Sequence, residues 1–432
     1  MWPPSSPRND SLLNLASIAS PPLFHLVLHL LTIERIMRPC SREHPDVTAR
    51  LPSDVLLYIF SKCLDHRRLD SPYAEPLGSA ARRNPVRSPT TPPSVTISQV
   101  SQRWRKIALE SPLLWSTIKC ALPILFSLVQ DSDGRWGPST MPEEEWIQQV
   151  EVIISTTREW ITRSRNVPLR LYVHIAGFDS SVPSFAHAPI KGLLDLLISV
   201  APRWKEINFL FVIPGSPPDR RRRRSASSVA PSALSLISPL LNPPIEELTS
   251  LTNVTLDFEM LVMREEEYDT PTLLKGANLT SLSLPRSWPC LISSTQPSWS
   301  TLKHLSVGKL GIAARILQGR HPLNSRTAFT LLRPCTSLTS LHLTFPGSNR
   351  AEPPLRADEA EVGRGLNMPL LEKLTLEGAP TAANMASFIH APRLHSLSLF
   401  HPPGDSIDQH RGYVPNVVEW VGKYAAQLKS LA

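Results

Sequence analysis

A six-residue pattern, L-x-x-L-x-L, recurs along the second half of the chain and limits what this sequence can fold into. Side chains alternate along a β-strand, so the last two apolar positions of each copy predict a short strand with both side chains facing inward. The first apolar position predicts a turn that packs beside that strand. One such unit cannot bury its own apolar side, so we expect neighbouring copies to stack. The copies are Leu251-Val254-Leu256, Leu279-Leu282-Leu284, Leu302-Leu305-Val307, Leu338-Leu341-Leu343, Leu371-Leu374-Leu376 and Leu394-Leu397-Leu399, with a variant at Trp204-Ile207-Phe209.

The residue between the two strand positions of each copy is polar. It is expected to point away from the core, because its neighbours on both sides point inward. Stacked copies then align these residues in a single row that crosses the strands. We predict that this row, the polar ladder, binds a target protein. The polar ladder consists of Ser283, Ser306, His342, Thr375 and Ser398.

A helix and a strand are predicted ahead of these copies. Apolar residues recur at helical spacing from Glu143 to Arg163, and apolar and polar residues alternate from Leu169 to Ile175. We therefore separate a connecting helical segment, 121–165, from a repeat domain, 166–432. The expected fold class is α+β or an α/β solenoid of irregular repeats.

A first short helix is predicted close to residue 51. Pro52 suits the first turn of a helix, where its missing N–H costs nothing. Ser53 or Asp54 can accept hydrogen bonds from the free N–H groups of that turn. Apolar residues then follow at helical spacing through Cys63. They form one continuous apolar stripe.

A second helical piece follows an insert. Residues 66–94 include six prolines and have no periodic apolar face, which predicts a flexible insert. From Ile97 to Ala108 the apolar residues again fall on one helical face, and Pro112 ends this predicted helix. The sequence P-L-L-W comes directly after it. Either apolar stripe could pack on the rest of this chain, which is the common role of such a stripe.

The two helical pieces together resemble an F-box, in the form typical of fungal F-box proteins. That family pairs an LP-acidic-apolar helix with a V-x-x-x-W-R-x-I-A helix and a P-x-L-W turn, often across an insert. The resemblance covers residues 49–118, within a predicted F-box domain of 49–120, and the repeats behind it are similar to the irregular leucine-rich repeats that follow F-boxes. It implies docking on the adaptor Skp1 through an apolar face. The residues implied in that contact are Leu51, Pro52, Val55, Leu56, Ile59, Phe60, Val100, Trp104, Ile107, Leu114 and Trp115.

The function implied by this resemblance is that of a substrate-recognition adaptor without catalytic activity. Such a protein links a target to a cullin through Skp1 in an SCF-type ubiquitin ligase. The alternative is a leucine-rich-repeat scaffold or nucleic-acid-associated protein that uses Arg220–Arg224. Those five arginines account for five of the eight net positive charges and lie in a Pro/Ser/Arg-rich loop, 214–234, that we expect to be disordered. Because the rest of the chain is nearly balanced in charge, nucleic-acid binding is disfavoured.

The sequence has no motif for catalysis, a cofactor or a metal. It lacks the phosphate-binding loop G-x-x-x-x-G-K-[ST], the zinc-protease motif H-E-x-x-H and the nucleophile motif G-x-S-x-G. The five cysteines are widely spaced, which argues against a zinc site and a disulfide framework and favours a reducing compartment. We therefore expect no enzyme activity and a location in the cytoplasm, the nucleus or both.

The N-terminal segment, 1–48, is expected to be poorly ordered. Its apolar run, 23–33, is interrupted by two histidines. The run is shorter than the ~20 residues that a membrane-spanning helix needs. We therefore expect no membrane partner.

Overall fold

The structure is a computed structural model that describes part of the chain. The described residues are 51–66, 93–130, 136–176, 182–212, 233–259, 271–284, 299–308, 323–345, 355, 365–377, 384–400 and 413–431. The predicted N-terminal segment, residues 67–92 of the insert and residues 214–232 of the basic loop lie outside them. The chain divides into two compact units, one of Met1–Ser116 with Ile161–Arg165 and one of Thr117–Trp160 with Asn166–Ala432.

The described part of the first unit is helical. Helix α1 spans Ser53–His66, α2 spans Pro93–Ser98, α3 spans Gln102–Glu110, and a 3₁₀ turn covers Pro112–Trp115. The insert is therefore shorter than predicted, since residue 66 ends α1 and residues 93 and 94 begin α2. The single helix predicted from Ile97 to Ala108 is also wrong. It is interrupted at Ser101, whose hydroxyl accepts a hydrogen bond from the backbone N–H of Trp104 at 3.2 Å and caps a new helix.

The second unit is a mixed α/β structure built on a large parallel sheet. Its strands, in chain order, are β1 (Thr117–Ala121), β2 (Phe126–Gln130), β3 (Trp136–Thr140), β4 (Leu169–Ala176), β5 (Trp204–Val212), β6 (Asn253–Glu259), β7 (Ser281–Leu284), β8 (His304–Val307), β9 (Ser340–Thr344), β10 (Leu366–Asn367), β11 (Lys373–Glu377), β12 (Ile389–His390), β13 (Ser396–Phe400) and β14 (Ser430–Leu431).

The order of the strands in the large sheet follows the chain. Within the described residues the sheet has ten strands in the order β1-β4-β5-β6-β7-β8-β9-β11-β13-β14. Every neighbouring pair in it is parallel. The remaining described strands form an antiparallel β2–β3 hairpin and a short parallel β10–β12 pair. The predicted boundary after residue 120 falls inside β1, which pairs with β4 in the second unit.

Helices and 3₁₀ turns connect the strands. The predicted helix over Glu143–Arg163 is confirmed as α4, but the predicted connecting segment, 121–165, also contains the β2–β3 hairpin. Helix α7, which spans Ser325–Leu332, begins with a reciprocal cap: the side chains of Asn324 and Thr327 each accept a hydrogen bond from the backbone N–H of the other residue. The other described elements are α5 (Ser184–Ile198), α6 (Ala233–Leu241), α7 (Ser325–Leu332) and α8 (Tyr413–Tyr424), and 3₁₀ turns at Ala201–Arg203, Ile245–Ser250, Thr272–Lys275 and Met385–Phe388.

The core of the second unit follows the recurring pattern. In every copy the first apolar residue lies in the turn before a strand and is buried, as at Leu279 and Leu371. The strand positions are buried as well, apart from half-buried Leu399. The alternation predicted for Leu169 to Ile175 is confirmed in β4, where the apolar residues are buried and the polar ones are not.

Candidate interaction surfaces

The start of α1 is held against α3 in the first unit. The backbone N–H of Leu56 donates to the carbonyl of Pro52 at 3.1 Å, which closes the first turn of α1. The guanidinium of Arg103, on α3, donates to the carbonyl oxygen of Leu51. The L-P motif is therefore fixed in place by a residue from beyond the insert.

The two apolar stripes of the first unit meet through aromatic rings. Phe60 and Trp104 lie with their ring centroids 4.8 Å apart. The indole N–H of Trp115 donates to the carbonyl of Ala108 at 2.8 Å, and the guanidinium of Arg163 lies 4.5 Å from the centroid of the Trp115 ring. The P-L-L-W turn is thus folded back onto the end of α3.

The eleven residues implied in Skp1 binding differ in their exposure to solvent. Five side chains are buried, three are half-buried and three are exposed. A buried side chain cannot touch a partner directly, so the buried five support a surface and do not form one. The buried residues are Leu56, Phe60, Ile107, Leu114 and Trp115, the half-buried ones are Leu51, Ile59 and Trp104, and the exposed ones are Pro52, Val55 and Val100.

Further apolar side chains of the first unit are exposed besides Val55 and Val100. Tyr58 is 63% exposed and Leu113 is 58% exposed. Tyr58 follows Val55 by three positions, so both lie on one side of α1. Tyr58, Leu109 and Leu113 were not predicted from the sequence. Helical spacing from Val55 would have identified Tyr58. We name this group the outer apolar set; it consists of Val55, Tyr58, Val100, Leu109 and Leu113.

In the second unit, the strand register aligns the polar ladder as predicted. Ser283 pairs with Ser306, Ser306 with His342, His342 with Thr375, and Thr375 with Ser398. The same row continues toward the start of the sheet through Thr255, Asn208 and Tyr172. The alignment is therefore confirmed and extends further than the sequence pattern indicated. A role in target binding stays a prediction.

The polar ladder is less accessible than predicted. All five side chains are half-buried, whereas an exposed row was expected from the sequence. The hydroxyl oxygen of Ser306 is buried and has no hydrogen-bond partner among the described residues. The hydroxyl of Ser306 is therefore not accessible to a target.

A polar cluster adjoins the ladder at the ends of β9 and β11. Oε2 of Glu377 lies 3.3 Å from Nε2 of His342 and accepts the hydroxyl of Thr344 at 3.2 Å. Thr344 is fully buried, whereas His342 and Glu377 have side chains 25% and 29% exposed. Glu377 was not identified from the sequence, because it lies outside the six-residue pattern. We name these three residues the His-Thr-Glu cluster.

The other end of the sheet carries a different set of charges. Arg170 lies 3.8 Å from Glu206, whose other carboxylate oxygen accepts the hydroxyl of Tyr172 at 2.9 Å. Burial lowers the pKa of His174 on the same strand. At this end of the sheet, the carboxylate of Glu206 therefore lies beside a permanent cation, the guanidinium of Arg170.

Cys120 and Cys335 are poor nucleophiles. Burial raises the pKa of Cys120 to about 11, partly offset by a hydrogen bond with Thr157, and burial raises the pKa of Cys335 to about 12. Both thiols are protonated at neutral pH and are buried. Within the described part of the chain, no group of three or more His, Cys, Asp or Glu side chains is placed to hold a metal ion.

Among the described residues, no helix combines the length and apolar character needed to cross a membrane.

Comparisons with known proteins do not identify a family. No protein-family model matches the chain, and no curated protein sequence matches it. Among solved structures, the chain is similar to a crystal structure of a protein from Bacteroides fragilis, at 11% sequence identity and a TM-score of 0.20. That alignment covers 70% of this chain and 65% of the other, which is less than two thirds of the other protein's length. The resemblance to F-box proteins therefore stays a prediction from the sequence.

Proposed function

We propose that this protein is a substrate-recognition adaptor of an SCF-type ubiquitin ligase. In this proposal the first unit is an F-box that binds a Skp1-like adaptor and, through it, a cullin. The second unit is an irregular leucine-rich-repeat solenoid that recruits a target protein. Catalysis resides in other subunits, and the complex acts in the cytoplasm, the nucleus or both.

The outer apolar set is the observation that carries the first half of the proposal. Tyr58 and Leu113 are more than half exposed, yet both belong to short elements that already bury apolar side chains on another side. Val55 and Tyr58 lie three residues apart on α1, so they form an exposed apolar stripe to which a partner protein can bind. Pro52 is exposed beside Val55 at the start of α1, and both belong to the motif that resembles an F-box.

The regular order of the large sheet supports the second half. Each strand from β5 to β9 lies next to the strand that follows it in the chain, and every pair is parallel. Stacked units that each supply one strand are typical of solenoid repeats, whose continuous surfaces bind other proteins. The polar ladder runs along such a surface.

Co-expression with Skp1 tests the proposal. Wild-type protein is expected to elute with Skp1 in size-exclusion chromatography, and calorimetry gives the affinity. Replacing Val55 and Tyr58 together by Asp should lower that affinity at least about tenfold, because two charges would have to be desolvated in the contact. The matched control is Val152→Asp, an equally polar change at a 59% exposed valine in α4 of the second unit.

The control variant should bind Skp1 as the wild type does. Circular dichroism and the thermal midpoint should be unchanged in both variants, since all three positions are exposed. A wild-type protein that fails to bind Skp1, or a double variant with wild-type affinity, would contradict the proposal. Salt-sensitive retention on nucleic acid would favour the alternative that uses Arg220–Arg224, a run outside the described residues.

A further inference from the structure

Glu377 is held in a fixed position at the edge of the polar ladder. It is the last residue of β11 and lies on the same face as Thr375, two positions earlier. The register places it directly beside Thr344 of β9. The buried hydroxyl of Thr344 donates to its Oε2, so the carboxylate is oriented from within the unit.

His342 contacts the same carboxylate oxygen from the polar ladder. Its Nε2 lies 3.3 Å from Oε2 of Glu377. A carboxylate only accepts hydrogen bonds, so Nε2 carries the proton when this contact is a hydrogen bond. Both of these contacts use Oε2 and leave Oε1 available on the partly exposed side chain.

Within the described part of the chain, no permanent cation balances the carboxylate of Glu377. Among the described residues, no Lys or Arg lies within ion-pair distance of it, and its one charged-pair partner is His342. Lys373 is on the same face of β11 but four residues earlier, which is about 13 Å along a strand. This differs from Glu206 at the other end of the sheet, which has Arg170 beside it.

We propose that the His-Thr-Glu cluster anchors a basic side chain of the recruited target, a guanidinium or an ammonium group. This inference rests on the proposed function and names the chemistry of the segment that the polar ladder takes. A carboxylate that is already oriented binds a cation at a lower entropic cost. Hydrogen bonds between ionised groups are stronger than those between neutral groups, and the remaining oxygen, Oε1, can accept one from a guanidinium or an ammonium group.

The polar ladder presents small side chains near Glu377. Thr375 lies two positions before Glu377 on β11 and pairs with Ser398 of β13, and both residues are uncharged and half-buried; Phe400, which pairs with Glu377 itself, is 49% exposed. They can contact a peptide without blocking the carboxylate. The anchor therefore supplies the charge, and the adjoining ladder supplies weak polar contacts.

A positional library of short immobilised peptides tests this inference with the full-length chain. At one position at a time, the library presents Arg, Lys, Gln or Glu in an otherwise random sequence. Wild-type protein is expected to bind the Arg and Lys pools at least about tenfold better than the matched Gln pools. The variant Glu377→Gln should lose this preference, because it removes the charge but keeps a carbonyl oxygen that accepts the Thr344 hydroxyl.

The matched control is Glu372→Gln. Glu372 precedes β11 and also faces a histidine, with Oε2 3.7 Å from Nε2 of His395, but it lies outside the His-Thr-Glu cluster. This variant should keep the preference for basic peptides. Equal thermal midpoints for the two variants would show that any difference is local.

Two outcomes would overturn the inference. One is a preference for basic peptides that persists in Glu377→Gln; the other is a wild-type protein that selects no basic residue at any position. Skp1 binding is measured on the same preparations. Binding to Skp1 without peptide selection would contradict the anchor at Glu377 and support the adaptor function. Peptide selection without Skp1 binding would support the anchor and contradict the adaptor function.

Discussion

The indole ring of Trp104 packs against the phenyl ring of Phe60, with 4.8 Å between ring centroids and an angle of 56° between the ring planes. Phe60 lies in α1 and is fully buried, whereas Trp104 lies in α3, beyond the insert. The pair therefore joins two helices that the chain separates by the insert. A long loop between them adds little closure cost, about 0.6 kcal/mol for each doubling of its length.

Replacing Phe60 by Ala should destabilise the first unit by about 3–5 kcal/mol, because it removes a buried ring and leaves a cavity beside Trp104. Chemical denaturation followed by tryptophan fluorescence measures the change. The matched control is Tyr58→Ala, which removes an exposed ring from the same helix and should alter the free energy of unfolding by no more than about 0.5 kcal/mol. Equal losses in the two variants would contradict the burial pattern of α1.

Two adjacent residues of β11 test the register of the large sheet. Leu374 is buried and Thr375 points to the opposite face. Leu374→Ala should lower the free energy of unfolding by about 2–5 kcal/mol. Thr375→Ala should change it by less than about 0.5 kcal/mol. Thermal midpoints of the two variants provide the comparison, and the reverse ranking would mean that the strand is shifted by one residue.

A glycine after β8 is required by its backbone and by its neighbour. Gly308 has a φ of 84°, and a Cβ placed there would lie 2.8 Å from the carbonyl oxygen of Thr344. Gly308→Ala should therefore destabilise the second unit by about 1–3 kcal/mol. Gly422 lies inside α8, and no described atom other than those of its chain neighbours and helix backbone lies within 4 Å of such a Cβ.

The change Gly422→Ala should instead stabilise the second unit by about 0.5–1 kcal/mol, because alanine loses less backbone entropy in a helix. Differential scanning calorimetry of both glycine variants gives the sign of each effect. A neutral result at position 308 would show that β8 and β9 separate more easily than the structure indicates.

The buried thiols predict slow chemical labelling. In a variant with Cys40, Cys63 and Cys290 replaced by Ser, only Cys120 and Cys335 remain. Burial raises the pKa of these two thiols to about 11 and about 12, so few thiolates form even at mildly alkaline pH. A disulfide reagent should label the folded protein no faster than it unfolds. Rapid labelling in buffer, matching the rate in denaturant, would contradict their burial.

Local pattern was sufficient to predict the repeated strands of the large sheet. The copies of L-x-x-L-x-L identified which residues of β6, β7, β8, β9, β11 and β13 face inward, and the ladder from Ser283 to Ser398 is aligned as that pattern requires. The reason is that the alternation of side chains along a strand is a property of the backbone itself. A six-residue window therefore contains the information needed.

The helical region was predicted less well, because burial there depends on neighbours that are distant in the chain. Leu56 and Val55 looked equivalent in the sequence, since both are apolar and belong to one motif. In the structure Leu56 is buried and Val55 is exposed. Which side of a short helix faces inward is decided by what packs against it, and for α1 that includes Trp104 from beyond the insert.

The turn, the inward leucines and the ladder residue of each copy can be predicted from the sequence alone, because they follow from local spacing. The contact of Glu377 with His342 and Thr344 depends on the folded sheet, since it joins the ends of two strands separated by a long stretch of chain. Glu377 lies outside the repeating pattern, and its position depends on the pairing of β9 with β11. Contacts of this kind arise from how strands stack, which no short window of sequence encodes.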